Sequence, residues 1–303
     1  MKPAPAARAA LDRLLRLPEP EIPLAEAALL IAQEEYPELD VRAYLGRLTA
    51  LGHQLARALS TYSQTEGTGP GGTWTRSERL RALRNFLYGE LGFHGPRDEE
   101  FFDPRNSFLN DVLDRHTGLP ITLALVFIEV GRAIGLELAG VNFPGHFLVR
   151  CLQDLHTDDP SEGLIVDPFH GGAILNEAEC RKLLQPHMSE AAFDPALLAR
   201  ATRRQILVRM LLNLKKLYVK MHSFPQARAT TDALLALQPS SLADLRDRGL
   251  LAYHMNDFSH ALRDLEEYLK VARLSDPDDD QKKETEQVWE HVKTLRRRVA
   301  QLN

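Results

Sequence analysis

At 303 residues, 44% of them hydrophobic and 26% charged, the chain has ordinary globular composition and enough length for two domains. A formal charge of −5 supplies no clustered positive field, so neither nucleic acid nor an anionic membrane is an expected partner. The two cysteines, Cys151 and Cys180, are too few for a disulfide framework, and no apolar run marks a signal peptide or approaches the ~20 residues of a bilayer span, so the cytoplasm is the expected location.

Residues 5–59 read as helical. Leu11, Leu14 and Leu15 recur at helical spacing until Pro18, Pro20 and Pro23 interrupt them. Leu24 to Glu35 resumes the pattern and Pro37 closes it. A third helix carries the stripe Tyr44, Leu45, Leu48, Leu51, Leu55 and Leu59, with Asp40 as its N-cap. From Ser60 to Thr73 the composition turns to Ser, Thr, Gln and Gly (Gly67, Gly69, Gly71, Gly72), which predicts an exposed loop. Thr75 and Glu78 have capping-box spacing and open a helix carrying Leu80, Leu83, Phe86, Leu87 and Leu91.

After Gly92 the texture changes. A helix is predicted over residues 107–115, stopped by Thr117-Gly118-Leu119-Pro120. Pro120 suits the first position of the next helix, where its missing N–H costs nothing. Ile121 to Ile134 is apolar nearly all round, with Glu129 and Arg132 its only charges, so this helix belongs inside a core and Gly135 ends it. Three β-like runs follow, at 136–143, 146–152 and 164–167, separated by a Pro144-Gly145 turn and by a loop containing Asp154, Asp158, Asp159 and Glu162. They predict a small antiparallel sheet. Asn176 and Glu179 cap a short helix with Leu183 and Leu184.

From Pro195 the pattern is helical to the end, and it repeats. Leu217, Met221, Phe224 and Ala227 recur as Leu251, Met255, Phe258 and Ala261, each 34 residues later, as do Leu235 and Leu269. A 34-residue period of paired helices is the tetratricopeptide signature. Gly249 and Ala261 take the small-residue positions where two helices cross closely. Pro239 ends the first unit, but its counterpart is Arg273, so the repeat is degenerate and about two units long. Asp276, Asp278, Asp279 and Asp280 read as a solvated loop before a basic last helix with Lys293, Arg296, Arg297 and Arg298.

The chemistry-bearing residues lie mid-chain. Gly118-Leu119-Pro120-Ile121-Thr122-Leu123 opens the buried helix; Pro144-Gly145-His146-Phe147-Leu148-Val149 and Asp167-Pro168-Phe169 follow on strands. This order suits a nucleophile, histidine and carboxylate site. A helix N-terminus favours an anionic nucleophile, and adjacent strands can set a basic histidine beside its orienting carboxylate. His116, His146, His156 and His170 fall near Asp167, yet none has the close spacing of a strong metal motif, so no metal or other cofactor is expected.

Across these segments, from Asn106-Ser107-Phe108-Leu109-Asn110 to Asp167-Pro168-Phe169, the sequence resembles the SirB-like branch of the transglutaminase-like superfamily. The resemblance implies an α+β fold: a papain-like core with a central helix on a small antiparallel sheet. Residues 1–195 would form this domain, with an N-terminal helical subdomain over about 1–90, and residues 196–303 the tetratricopeptide-like region. His146 and Asp167 would occupy the superfamily's histidine and aspartate positions. Its enzymes carry a cysteine at the start of the central helix, where this chain has Pro120, Ile121 and Thr122. Cys151 lies five residues past His146, on the opposite face of a strand, and Cys180 lies in a later helix.

Thr122 is read as a buried hydroxyl bonding backbone in the first helical turn, in preference to a nucleophile. The function expected is an interaction or regulatory protein whose transglutaminase-like core lacks the cysteine and whose residues 196–303 bind a protein or peptide partner. The alternative is an active hydrolase or acyltransferase in which a His146–Asp167 pair works with Thr122 or with water.

Overall fold

The proline breaks and apolar periods of the N-terminal third translate into three helices, α1 (Pro5–Leu14), α2 (Leu24–Glu35) and α3 (Val41–Thr65). The computed structural model describes residues 5–65, 74–152, 163–186, 193–272 and 279–302. The chain divides into two compact units, Lys2–Met210 and Leu211–Asn303.

In the first unit, α2 buries Ala27 through Ala32 without a break. Asp40 caps α3, its Oδ1 accepting from the Ala43 N–H at 3.0 Å. That helix runs further than composition suggested. Ser60 and Thr61 donate their hydroxyls to the carbonyls of Ala56 and Arg57, at 2.9 and 3.1 Å, and so sit within the helix instead of opening a loop. The Gly67, Gly69, Gly71 and Gly72 stretch lies outside the described residues.

Helix α4 (Arg76–Arg84) opens with the Thr75–Glu78 capping box. Beyond it the backbone widens into a π-helical segment, Asn85–Glu90, where the leucine pattern had predicted plain α-helix, and the Leu91 N–H reaches the Phe86 carbonyl at 3.0 Å. Helix α5 (Leu109–Arg115) starts two residues later than expected because Pro104–Ser107 forms a 3-10 turn capped by Asp103. Helix α6 (Pro120–Arg132) begins on Pro120 and buries ten of its residues, among them Ile121 to Ile128. Each large apolar side chain so buried contributes about 1.5–3 kcal/mol.

Strands β1 (Leu138–Val141), β2 (Leu148–Cys151), β3 (Leu164–Asp167) and β4 (Ala173–Leu175) form an antiparallel sheet in that order. Val149 stands opposite Val166, and Asp167 opposite Ala173. The first strand is shorter than the apolar run because the turn begins early: the Phe143 N–H bonds back to the Val141 carbonyl and the His146 N–H to that of Phe143. His146 therefore lies in the turn ahead of β2, not on the strand itself. Strand β4 was not anticipated. The buried α6 packs on β1 and β2 and also meets α3, α4 and α5, the central-helix arrangement the α+β reading calls for. Helix α7 (Glu177–Leu184), opened by the Asn176–Glu179 capping box, joins the sheet through a cluster of Val141, Phe143, Leu148, Ile165, Cys180 and Leu184. The acidic loop residues Asp154, Asp158, Asp159 and Glu162 fall outside the described residues.

Helix α8 (Arg203–Lys220) carries the chain across the division between units. The second unit continues with α9 (Phe224–Leu237), α10 (Leu242–His254), α11 (Phe258–Ala272) and α12 (Asp279–Leu302). Its repeat is literal in the backbone. His222 and Asn256 both turn left-handed, at φ 56° and 59°. The following N–H groups, of Ser223 and Asp257, reach back to Tyr218 and Ala252 at 2.9 Å each. Gly249 marks the close crossing: a Cβ there would stand 2.7 Å from Leu265 Cδ2. Asp279 and Asp280 begin α12 instead of ending a loop, while Arg273, Asp276 and Asp278 lie outside the described residues.

Candidate functional site

Asp167 is the last residue of β3, and Pro168 immediately bends the chain into a 3-10 turn, Pro168–His170. Proline supplies the φ of a first turn residue, and the Asp167 carboxylate caps that turn, its Oδ1 accepting from the N–H of Phe169 at 3.0 Å and of His170 at 3.3 Å. Gly171 and Gly172 then take φ +67° and +68°, a left-handed pair that returns the chain to β4. Just ahead of the neighbouring strand β2, the Pro144-Gly145 turn delivers His146.

The two groups meet. His146 Nε2 stands 2.9 Å from Asp167 Oδ1, which leaves Nδ1 as the nitrogen available for further proton exchange. A third group joins them: His170 Nδ1 lies 2.7 Å from the other carboxylate oxygen, Oδ2. Exposure grades outward, from 1% for the Asp167 side chain through 10% for His146 to 59% for His170. Phe169 closes edge-on against both imidazoles, with ring centroids 5.7 and 5.1 Å away. Burial would push the Asp167 carboxyl up, but the hydrogen bonds and charges of His146, then of His170, outweigh it and hold the carboxyl below its ordinary range.

Tyr88, on the π-helical segment, borders this cluster. Burial and then the charge of Asp167 raise its hydroxyl well above the usual phenol range. The Tyr88 hydroxyl and Arg84 Nε are both buried without a hydrogen-bond partner among the described residues. Both side chains press on Gly172, where a Cβ would come within 2.8 Å of Arg84 Cγ and 2.9 Å of Tyr88 Cε2. Neither residue was singled out from sequence; the only signal was a tyrosine in a helix otherwise patterned by leucine.

Thr122 does not join the pair. It is fully buried, and its hydroxyl faces the carbonyls of Asn106 at 2.8 Å and Leu119 at 3.0 Å. His116 is also elsewhere: it ends α5 in a left-handed conformation, with Nδ1 2.6 Å from the Leu91 carbonyl and its ring stacked on Phe93. His156 lies outside the described residues.

A model of the transglutaminase-like superfamily matches residues 42–212. The chain belongs to this family. A tetratricopeptide-repeat model matches residues 214–288. The UPF0162 protein of Xylella fastidiosa strain Temecula1 is 38% identical over 264 residues, 86% of this chain and 88% of that protein. The UPF0162 protein of Pseudomonas aeruginosa is 32% identical over 268 residues, 88% of this chain and 89% of its own length. Human F-box only protein 21 is 31% identical over 182 residues, 59% of this chain but only 28% of that protein. Among the described residues no helix is long and apolar enough to cross a membrane.

For a member of this family the two thiols matter. Cys151 shares the Val149 face of β2 by strand alternation, and Cys180 lies within α7; both are free and buried. Burial pushes the Cys151 thiol up to about 11, and burial helped by the charges of Glu179 and Asp167 does the same for Cys180. Iodoacetamide at pH 7.5 should therefore alkylate the native chain at least about 100-fold more slowly than a model thiol, because so little thiolate is present. Mass-spectrometric time courses check this, and fast labelling at either position would identify a reactive cysteine.

Proposed function

We propose that this protein is an interaction or regulatory protein, built on a transglutaminase-like core without the cysteine nucleophile and using its tetratricopeptide helices to bind a partner segment. The observation that carries this reading is the start of α6. There the one hydroxyl, on Thr122, is fully buried and turned to backbone carbonyls, and both thiols lie in other elements with raised pKa values. A histidine beside a carboxylate activates only a group within its reach. The second unit supports the binding half of the reading, since Leu212, Val219, Met221 and Met255 keep large apolar side chains exposed.

The test has two arms on the full chain. Amide, glutaminyl-peptide and ester substrates should turn over no faster with the parent than with His146→Ala. A difference of about 100-fold or more would instead establish the hydrolase or acyltransferase alternative, with water as the nucleophile. In the second arm, the parent should capture a protein partner that a Val219→Glu/Met221→Glu variant loses. These side chains are 44% and 50% exposed, so thermal unfolding of the variant should match the parent. Equal capture by the two proteins would remove the helical unit from the proposal.

A further inference from the structure

We propose that His146, Asp167 and His170 form a binding site for one divalent first-row transition-metal ion. One donor atom from each residue, His146 Nε2, an Asp167 carboxylate oxygen and His170 Nδ1, falls within a group whose members all lie within 4.8 Å of one another. Two neutral imidazoles and a carboxylate that leave positions open are a donor set taken by zinc, iron and their neighbours.

The spacing fits an ion with little movement. Neighbouring ligands at ordinary metal–nitrogen and metal–oxygen lengths stand about 3.0–3.4 Å apart. The nitrogen-to-oxygen separations here are 2.9 Å from His146 Nε2 to Oδ1 and 2.7 Å from His170 Nδ1 to Oδ2, so an ion seated between the rings would draw on both oxygens of the carboxylate. The adjustment left is to bring the imidazoles closer together, and the exposed ring on the surface turn, His170, is the one free to move. Each ring can carry its single proton on the far nitrogen, Nδ1 for His146 and Nε2 for His170, and so present a lone pair toward the carboxylate. The ion then takes the place of the two bridging hydrogens.

Support for the ligands is already built. The N–H groups of Phe169 and His170 fix Asp167 Oδ1 and with it the orientation of the carboxylate toward the two imidazoles. Phe169 holds the His146 ring edge-on at 5.7 Å between centroids. Such supporting contacts orient metal ligands in general. His170 is 59% exposed, so the remaining coordination positions open to solvent or to an anionic ligand.

The test is titration of the untagged full chain with Co²⁺ at pH 7.5, followed by calorimetry and by the visible absorption of the ion. One equivalent should bind, with an upward shift in Tm of the unit that holds Trp74. His170→Ala, a change at an exposed turn residue, should weaken binding by more than the about 10–100-fold that losing a mere supporting partner costs. His53→Ala should leave binding unchanged. Absence of saturable binding, or binding that survives His170→Ala, overturns the site. So does equal weakening by His53→Ala. Since this readout is binding and Tm, it fails independently of the interaction proposal.

Discussion

Asp167→Ala should destabilise the first unit by about 1–3 kcal/mol for each buried donor it leaves without an acceptor, a loss of several kcal/mol in all. The carboxylate is 1% exposed and answers four donors: His146 Nε2, His170 Nδ1, and the N–H groups of Phe169 and His170. Alanine leaves the His146 ring and the turn's N–H groups without an acceptor. Asp167→Asn keeps one acceptor oxygen and should cost less, about 1–3 kcal/mol. Urea unfolding followed by Trp74 emission in a Trp289→Phe background isolates this unit, because the chain carries two tryptophans, one in each unit.

The same experiment has a pH signature. The native carboxyl titrates below its unfolded counterpart, near about 3.9. Its stabilising contribution is therefore complete above that value and is lost as pH falls through the lower native pKa. Below about pH 5 the gap between parent and Asp167→Ala should narrow as the native carboxyl takes up its proton. A gap that did not narrow down to about pH 2 would mean that the lost stability does not depend on the Asp167 charge.

Much of this architecture was legible because local rules settle it. The capping boxes at Thr75 and Asn176 fixed helix starts, as Asp40 and Pro120 did, and the all-apolar α6 announced the core. The 34-residue repeat held down to individual backbone hydrogen bonds at Ser223 and Asp257. The misses share a different cause. A π-helical segment keeps nearly the same apolar spacing as an α-helix, so Asn85–Glu90 gave no separate signal. Strand β4 is three residues long and exists only through its pairing with β3. At the site, the adjacency of His146 and Asp167 followed from antiparallel neighbours, yet the turn placement of His146 did not. The inclusion of His170 depended on a 3-10 turn folding it back onto the residue three before it. That reach is invisible in residue type. Thr122 shows the converse, since a hydroxyl at a helix start was correctly given to the backbone.

Arg248→Met should destabilise the second unit by about 3–5 kcal/mol, because it strands a buried carboxylate. Asp264 on α11 is 3% exposed. It accepts from Arg248 Nε at 2.6 Å and Nη2 at 3.1 Å, a forked arrangement that lysine cannot reproduce. Arg248 also reaches Asp232 at 3.3 Å, so one guanidinium ties α9, α10 and α11 together. The other donor to Asp264, from Arg263, is long at 3.4 Å and comes from a side chain 66% exposed, so it cannot compensate. Replacing both members, Arg248→Met with Asp264→Leu, removes the unpaired charge and should recover most of the loss, whereas Arg248→Lys should fall between. Trp289, packed on the cluster that joins α10, α11 and α12, reports this unit when Trp74 is replaced by Phe. Urea unfolding of these proteins together with the Asp264→Leu single variant closes the double-mutant cycle and gives the coupling. If the double variant proved as unstable as Arg248→Met, the loss would come from packing of the arginine stem and not from the stranded carboxylate.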